Sequence, residues 1–164
     1  MHLTACLTRR LRYYVQRMSV VSKISLPLET LIPSVVEYLQ KGSQVVLPVK
    51  GNSMLPFIRG DRDKVLIRKM PQVGVGDVVL ARTEAGKYVI HRIVGEEPGI
   101  LVLKGDGNLS GTERCTDDNV LGTVVEVQKP SGRKLNPASV KNWHKLPLFL
   151  RRVIIASYKK LFRL

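Results

Sequence analysis

A serine and a histidine in this chain have the local surroundings of a nucleophile and its base. Ser53 lies in segment 51–56, Gly-Asn-Ser-Met-Leu-Pro, directly after the apolar run 45–49. The glycine allows a sharp turn and the proline stops a strand, so the segment predicts that Ser53 is displayed at a strand end. A serine hydroxyl becomes a nucleophile when a base accepts its proton and backbone N–H groups stabilise the developing oxyanion.

His91 is the candidate base, because an imidazole can accept a proton near neutral pH. It lies in the alternating run 88–94, which predicts a strand that can hold the ring in a fixed position. Asp106, in the turn 104–108 (Lys-Gly-Asp-Gly-Asn), is the candidate carboxylate that orients the imidazole. Each residue alone also has an ordinary structural interpretation, as a turn serine, a structural histidine or a turn aspartate.

Other charged residues offer weaker candidates for chemistry. Lys64 could act as a base in a Ser-Lys pair only if the fold placed it beside Ser53. Asp61, Asp63 and Asp77 are expected to be turn and scaffold carboxylates. These residues therefore leave the Ser-His interpretation as the main hypothesis.

The chain has no sequence signal for a metal or another cofactor. No cluster of His, Cys and carboxylates has zinc-site spacing, and no glycine-rich phosphate loop with its lysine is present. The two cysteines, Cys6 and Cys115, fit neither a metal motif nor a disulfide framework. We therefore expect no cofactor, no metal and two reduced thiols, which is typical of a cytoplasmic protein.

The hydrophobic pattern predicts a β-rich α+β fold with compact, bent mixed or antiparallel sheets. Apolar residues recur at helical spacing over 31–39, which predicts a short helix packed against the first strand. Short β segments are predicted near residues 45–50, 63–68, 77–82, 87–94, 100–104 and 120–128. The polar connection 107–119 is expected to be a mobile loop near the site.

Charge divides the 164 residues into three segments. Residues 29–128 are nearly neutral, whereas residues 1–28 and 129–164 contain basic residues and no acidic ones, giving a net charge of +14. We therefore predict a basic extension (1–28), a central domain (29–128) and a basic linker with a C-terminal helix (129–164). No run reaches the roughly 18–20 apolar residues that a membrane span requires, and the N-terminal stretch lacks the apolar core of a signal peptide.

The C-terminal segment 146–164 has the pattern of a basic amphipathic helix. Its apolar residues fall on one side and its basic residues on the other, with Trp143 upstream as a candidate interfacial anchor. Residues 145–164 could dock on an anionic membrane surface or a partner, or could cover the open face of the β domain. The pattern does not distinguish these alternatives.

Five segments in order resemble the conserved boxes of type I signal peptidases and the related LexA-like autoproteolytic domains, the S24/S26 peptidases. They are residues 51–56, 59–61 (Arg-Gly-Asp), 75–79 (Val-Gly-Asp-Val-Val), 91–95 (His-Arg-Ile-Val-Gly) and 104–108. The resemblance covers about residues 43–128, and the histidine at position 91 resembles the branch that uses histidine rather than lysine as the base.

The resemblance implies a serine endopeptidase with Ser53 as nucleophile, His91 as general base and Asp106 in support. It also implies a preference for small side chains beside the cleaved bond. Many relatives of the lysine type carry a hydroxyl residue where this chain has Gly51, so the oxyanion hole is expected to use backbone N–H groups, including that of Ser53. The apolar residues Met54, Leu55 and Pro56 are expected to contact the substrate.

We therefore expect an endopeptidase that cleaves a leader or signal-type peptide from a precursor, in the cytoplasm or peripherally at the membrane surface. The missing span argues against a standard secretory signal peptidase. Two alternatives stay open: a LexA-like autoproteolytic or regulatory module, and a non-catalytic adaptor at the membrane surface. Residues 1–40 offer one convincing helix rather than a helix-turn-helix, so no specific nucleic-acid partner is expected.

Overall fold

The computed structural model describes residues 28–164, which form a curled β-sheet with a helix at each end of that range. Helix α1 spans Leu28–Gln40 and helix α2 spans Leu148–Phe162. The strands are β1 (Val45–Pro48), β2 (Lys64–Arg68), β3 (Val78–Arg82), β4 (Tyr88–Glu97), β5 (Ile100–Lys104), β6 (Glu113–Thr116), β7 (Val120–Gln128) and β8 (Lys134–Leu135). Short 3-10 segments occupy Asp117–Asn119 and Pro137–Lys145.

All paired strands in the described residues are antiparallel. Their order in the sheet is β1-β2-β7-β3-β4-β5-β6, with β8 added beside β7. Register shifts in the β2–β7, β3–β7 and β4–β5 pairs bend the strands. Residues of β1 and β4 line one cavity although three strands separate them in the sheet, so the sheet curls into a half-barrel. The predicted mainly β fold is confirmed.

Strand β3 is buried on both of its faces. Val78 and Leu80 belong to one core cluster, whereas Val79 and Ala81 belong to the other, as alternate residues of a strand must. A continuous apolar run is typical of a strand that is covered on both faces. Helix α1 contributes three buried residues to the cluster that contains Val78 and Leu80, namely Ile32, Val35 and Leu39.

The main predicted elements are confirmed, and two short strands were missed. The six predicted β segments appear within a few residues of their expected bounds, and the first helix begins at Leu28 rather than at residue 31. Strand β6 lies in the connection 107–119, which was predicted to be a loop, and β8 lies in the predicted linker. In β6 only Cys115 is buried, so the segment has no apolar alternation that would predict a strand.

The C-terminal helix packs on loops of the protein body and also leaves an apolar surface exposed. Arg151 and Ile155 of α2 are buried, and the guanidinium of Arg59 lies 5.4 Å from the ring centre of Phe162. Trp143 is 7% exposed, so its predicted role as an interfacial anchor is wrong. None of the helices within residues 28–164 is long and apolar enough to span a membrane. The predicted basic extension, apart from Leu28, and Cys6 lie outside the described residues.

Asp63 ties the loop after β1 to the start of β2, and its predicted scaffold role is confirmed. Its carboxylate accepts hydrogen bonds from the Arg62 side chain, from Lys129 Nζ at 2.5 Å and from the Arg59 N–H at 2.8 Å. Burial alone would raise the pKa of this carboxyl, but the three donors together hold the pKa below its ordinary value.

Replacing Asp63 with asparagine is expected to lower the free energy of unfolding at pH 7 by about 1–3 kcal/mol. A carboxyl whose pKa is lowered by folding stabilises the fold above its unfolded pKa. That contribution is lost as the pH falls from 3.8 through the folded value. Urea unfolding of the wild type and Asp63→Asn at several pH values should therefore show a difference that shrinks in acid. A difference independent of pH would contradict this account.

Candidate active site

Ser53 lies in the loop between β1 and β2, shortly after the end of β1. Gly51 has a φ of 76°, which a glycine adopts without strain, and it turns the chain at the point that the sequence predicts. The loop is closed at its neck because the Asp61 N–H donates to the Val49 carbonyl at 2.8 Å. Met54 next to the serine is buried, whereas Ser53 itself is half-buried. The packing therefore fixes the backbone of the loop and leaves the hydroxyl accessible.

His91 of β4 contacts the serine directly. Its Nε2 lies 3.0 Å from Ser53 Oγ, within hydrogen-bond distance, and its side chain is almost fully buried. A neutral imidazole that presents an unprotonated Nε2 to the hydroxyl can accept its proton. The structure thus brings together the two residues that the sequence analysis singled out.

Glu113 occupies the position that was predicted for Asp106. Its Oε2 lies 2.5 Å from His91 Nδ1, on the opposite side of the ring from Ser53. Glu113 is the first residue of β6, and β5 lies between β6 and β4. The side chain is 39% exposed. The sequence did not single out Glu113, because its place beside His91 depends on how β6 pairs with β5 and no local pattern marks it.

Asp106 does not lie beside the imidazole, so the predicted placement is wrong. Its two carboxylate oxygens accept hydrogen bonds from Arg92 Nε at 2.8 Å and Arg92 Nη2 at 2.7 Å, and both side chains are buried. Arg92 Nη1 also donates to the carbonyl groups of Gly76 and Pro137. Arg92 follows His91 in a strand, and successive strand side chains point to opposite faces. Asp106 is therefore engaged by Arg92, away from the ring.

The turn that contains Asp106 supports Ser53 through its backbone. The Gly107 N–H donates to the Ser53 carbonyl at 2.7 Å. A side chain at Gly105 would overlap the same carbonyl oxygen, so the close approach requires glycine. The Trp143 indole N–H donates to the Asp106 carbonyl at 2.8 Å. The 3-10 segment near the C-terminus thus braces the turn that contacts Ser53.

Breaking the Arg92–Asp106 pair on one side is expected to lower the free energy of unfolding by about 3–5 kcal/mol, because an unpaired charge would remain buried. Arg92→Met and Asp106→Asn should both show this loss in urea unfolding. The double variant Arg92→Met/Asp106→Leu should lose less than the sum of the two, since it leaves no buried charge. Single variants with unchanged stability would contradict the assignment of a buried ion pair.

A cavity of about 240 Å³ opens beside Ser53 and His91. Its walls come from α1, β1, the Ser53 loop and β4. Most of the lining side chains are apolar, including Leu31, Leu47, Val49, Met54, Tyr88 and Ile90. A concave, mainly apolar site with a few polar groups is typical of a binding site for a small ligand or for the side chains of a peptide.

The predicted substrate contacts divide between the cavity and the core. Met54 lines the cavity, whereas Leu55 is fully buried and Pro56 is not among the lining residues. Lys64 is an exposed residue at the start of β2, and the contact to the Ser53 hydroxyl is made by His91 instead. The Ser53 N–H makes no backbone hydrogen bond with the described residues, so it can serve as the predicted oxyanion donor.

The geometry is that of a hydroxyl, an imidazole and a carboxylate joined in sequence. Such a chain of contacts can activate the hydroxyl as a nucleophile, with the carboxylate holding the imidazole and stabilising its protonated form. Within residues 28–164, no group of three or more His, Cys, Asp or Glu side chains is placed to hold a metal ion.

Comparison with known proteins supports the same chemistry. The model of the family "Peptidase S24-like" matches residues 16–125. The LexA repressors of Lacticaseibacillus casei (strain BL23) and Lacticaseibacillus paracasei (strain ATCC 334) are each 29% identical over 86 residues, which is 52% of this chain. The matched region covers 41% of each repressor, so the chain spans less than half the length of these relatives. The family match covers most of the chain, including Ser53, His91 and Glu113, and the chain belongs to the Peptidase S24-like family.

Proposed function

We propose that this protein is a serine peptidase of the self-cleaving LexA-like kind, with Ser53 as nucleophile, His91 as general base and Glu113 as the carboxylate that orients it. The observation that carries the proposal is the continuous contact from Glu113 through His91 to Ser53 at the wall of an apolar cavity. Similarity to the LexA repressors supports the self-cleaving form over cleavage of a separate precursor.

The reaction proceeds through an acyl-enzyme. Ser53 Oγ forms a bond to the carbonyl carbon of the cleaved peptide, and its proton passes to His91 Nε2. The oxyanion accepts a hydrogen bond from the Ser53 N–H. His91 then gives its proton to the leaving amine as the peptide C–N bond breaks. Water, activated by His91, hydrolyses the ester and regenerates the serine.

The substrate is an extended peptide segment. Strand β1 is at the edge of the sheet, and its residues line the cavity together with those of β4. An edge strand has backbone groups available for pairing, so a peptide can add beside it and place a side chain in the cavity. The apolar lining favours apolar side chains over charged ones.

The segment N-terminal to α1 is the proposed substrate within this chain. Leu31, in the first turns of α1, lines the same cavity as Ser53. Helix α1 therefore begins near Ser53, and the residues that precede it in the sequence are the proposed substrate. Cleavage of a leader peptide on another protein is the second candidate, because the cavity is open in the described residues and could receive a segment from another chain.

Labelling with a fluorophosphonate tests the activated serine. We expect the wild type to be labelled at Ser53, located by mass spectrometry, and Ser53→Ala to be unlabelled. Ser110→Ala is the matched control, because Ser110 is an exposed loop serine without a histidine partner in the described residues and its loss should not change labelling. An unlabelled Ser53 in the folded wild type would contradict the proposal.

Incubation of the purified chain separates the two substrates. Self-cleavage should yield two fragments whose summed mass exceeds that of the chain by one water, with a cut N-terminal to Leu28. A rate that is independent of protein concentration indicates cleavage within one molecule. A chain that labels at Ser53 but stays intact overturns self-cleavage and supports a substrate on another protein.

A further inference from the structure

Helix α2 presents three separate strips along its length. The strip that packs on the protein body consists of Arg151, Ile155, Tyr158 and Phe162, which recur at helical spacing. A second strip is apolar and exposed, and consists of Leu150, Val153, Ile154 and Leu161. A third strip is basic and exposed, and consists of Arg152, Lys159, Lys160 and Arg163.

The body holds α2 by its first strip and leaves the second without a partner in the described residues. Arg151 Nη2 donates to the Asn108 carbonyl at 3.2 Å, and its guanidinium lies 5.8 Å from the ring centre of Trp143. The apolar strip points away from these contacts. Phe149, at the start of the helix, is 65% exposed and Val153 is 59% exposed. A group of neighbouring exposed apolar side chains on a folded protein commonly marks an interaction surface.

The charge around the exposed apolar strip indicates which kind of partner the strip can bind. Residues 129–164 contain ten basic and no acidic residues. A second copy of this chain would bring an equally basic surface against it, and the two would repel each other. An anionic lipid surface offers apolar chains for Phe149 and Val153 and negative headgroups for Lys159 and Lys160.

We propose that the exposed face of α2 docks the protein on an anionic membrane surface, with the helix lying in the plane of the interface. Its apolar strip enters the boundary between headgroups and acyl chains, and the basic strip beside it contacts the lipid phosphates. The side of the helix that carries Arg151 and Ile155 stays on the body.

Vesicle co-sedimentation of the full chain tests the proposal, with Ser53→Ala as the background so that self-cleavage cannot change the protein. We expect binding to vesicles of phosphatidylcholine mixed with phosphatidylglycerol, weak binding to phosphatidylcholine alone, and weaker binding at high salt. Phe149→Ser/Val153→Ser should weaken binding by at least about tenfold. Lys159→Gln/Lys160→Gln should weaken it by about fivefold per charge.

The matched control is Tyr38→Ser/Val75→Ser, which removes two exposed apolar side chains far from α2 in the chain and should leave binding unchanged. Urea unfolding of each variant checks that the fold is intact. Equal binding to neutral vesicles would overturn the charge argument, and unchanged binding of the Phe149/Val153 variant would overturn the role of α2. If the protein self-associates without vesicles, and the Phe149→Ser/Val153→Ser variant does not, the partner of the strip is a second copy of the chain rather than a membrane.

Discussion

Replacing Ser53 with alanine is expected to reduce peptide-bond cleavage by at least about 10⁴-fold while leaving the fold unchanged. Alanine removes the atom that forms the acyl bond, and no other hydroxyl among the described residues is hydrogen-bonded to His91. The serine side chain is half-buried and contributes little to the core, so stability should change by less than about 1 kcal/mol. Fragment yield over time and urea unfolding measure the two effects.

His91→Ala should give a loss of similar size, because an unassisted serine hydroxyl is a weak nucleophile at neutral pH. The Ser53→Ala/His91→Ala variant should be no slower than either single variant, since residues that act as one unit do not contribute additively. An additive double variant would show that the two residues act independently. Full activity in either single variant would refute the proposed mechanism.

Glu113→Gln is expected to reduce cleavage by about 10²- to 10⁴-fold. Glutamine keeps the size of the side chain but removes the negative charge that stabilises the protonated ring and holds the Nδ1–H tautomer. Because Glu113 is partly exposed at the start of an edge strand, the variant should unfold at nearly the wild-type urea concentration. Single-turnover cleavage rates and unfolding curves measured on the same samples check both expectations.

Asp106→Asn is expected to give a different result from Glu113→Gln. Its carboxylate is paired with Arg92 rather than with the imidazole, so the variant should lose stability first and activity only as the folded fraction falls. The opposite pattern, a stable but inactive Asp106→Asn beside an active Glu113→Gln, would return the orienting role to Asp106. Comparing rates per folded molecule separates the two cases.

The local sequence singled out Ser53 and His91, which the structure places in contact, but it did not single out Glu113. The turn at Gly51 and the strand around His91 are formed by neighbouring residues, so their positions follow from a short window. Asp106 also lies in a turn directly after a strand, as a candidate carboxylate should. Its partner is nevertheless Arg92, because Arg92 points to the opposite face of β4 from His91. Glu113 reaches the ring only because β5 and β6 pair in a particular register, which is a long-range property.

The same distinction explains which parts of the fold were predicted. Strands β3 and β5 have strong apolar patterns and were found, whereas β6 and β8 are short, lack an apolar pattern and exist because a neighbouring strand pairs with them. The apolar pattern of the C-terminal helix predicted its existence but not its orientation. Its apolar side is wider than the body can cover, so part of it packs and part stays exposed.

The hydrogen bond from Trp143 to the Asp106 carbonyl has a consequence for the order of events during synthesis. Trp143, which braces the turn at residues 105–108, is synthesised after that turn. A nascent chain in which residue 143 has not yet left the ribosome therefore lacks the hydrogen bond that braces the turn contacting Ser53. The support of the Ser53 carbonyl is therefore completed during synthesis only after residue 143 has been added.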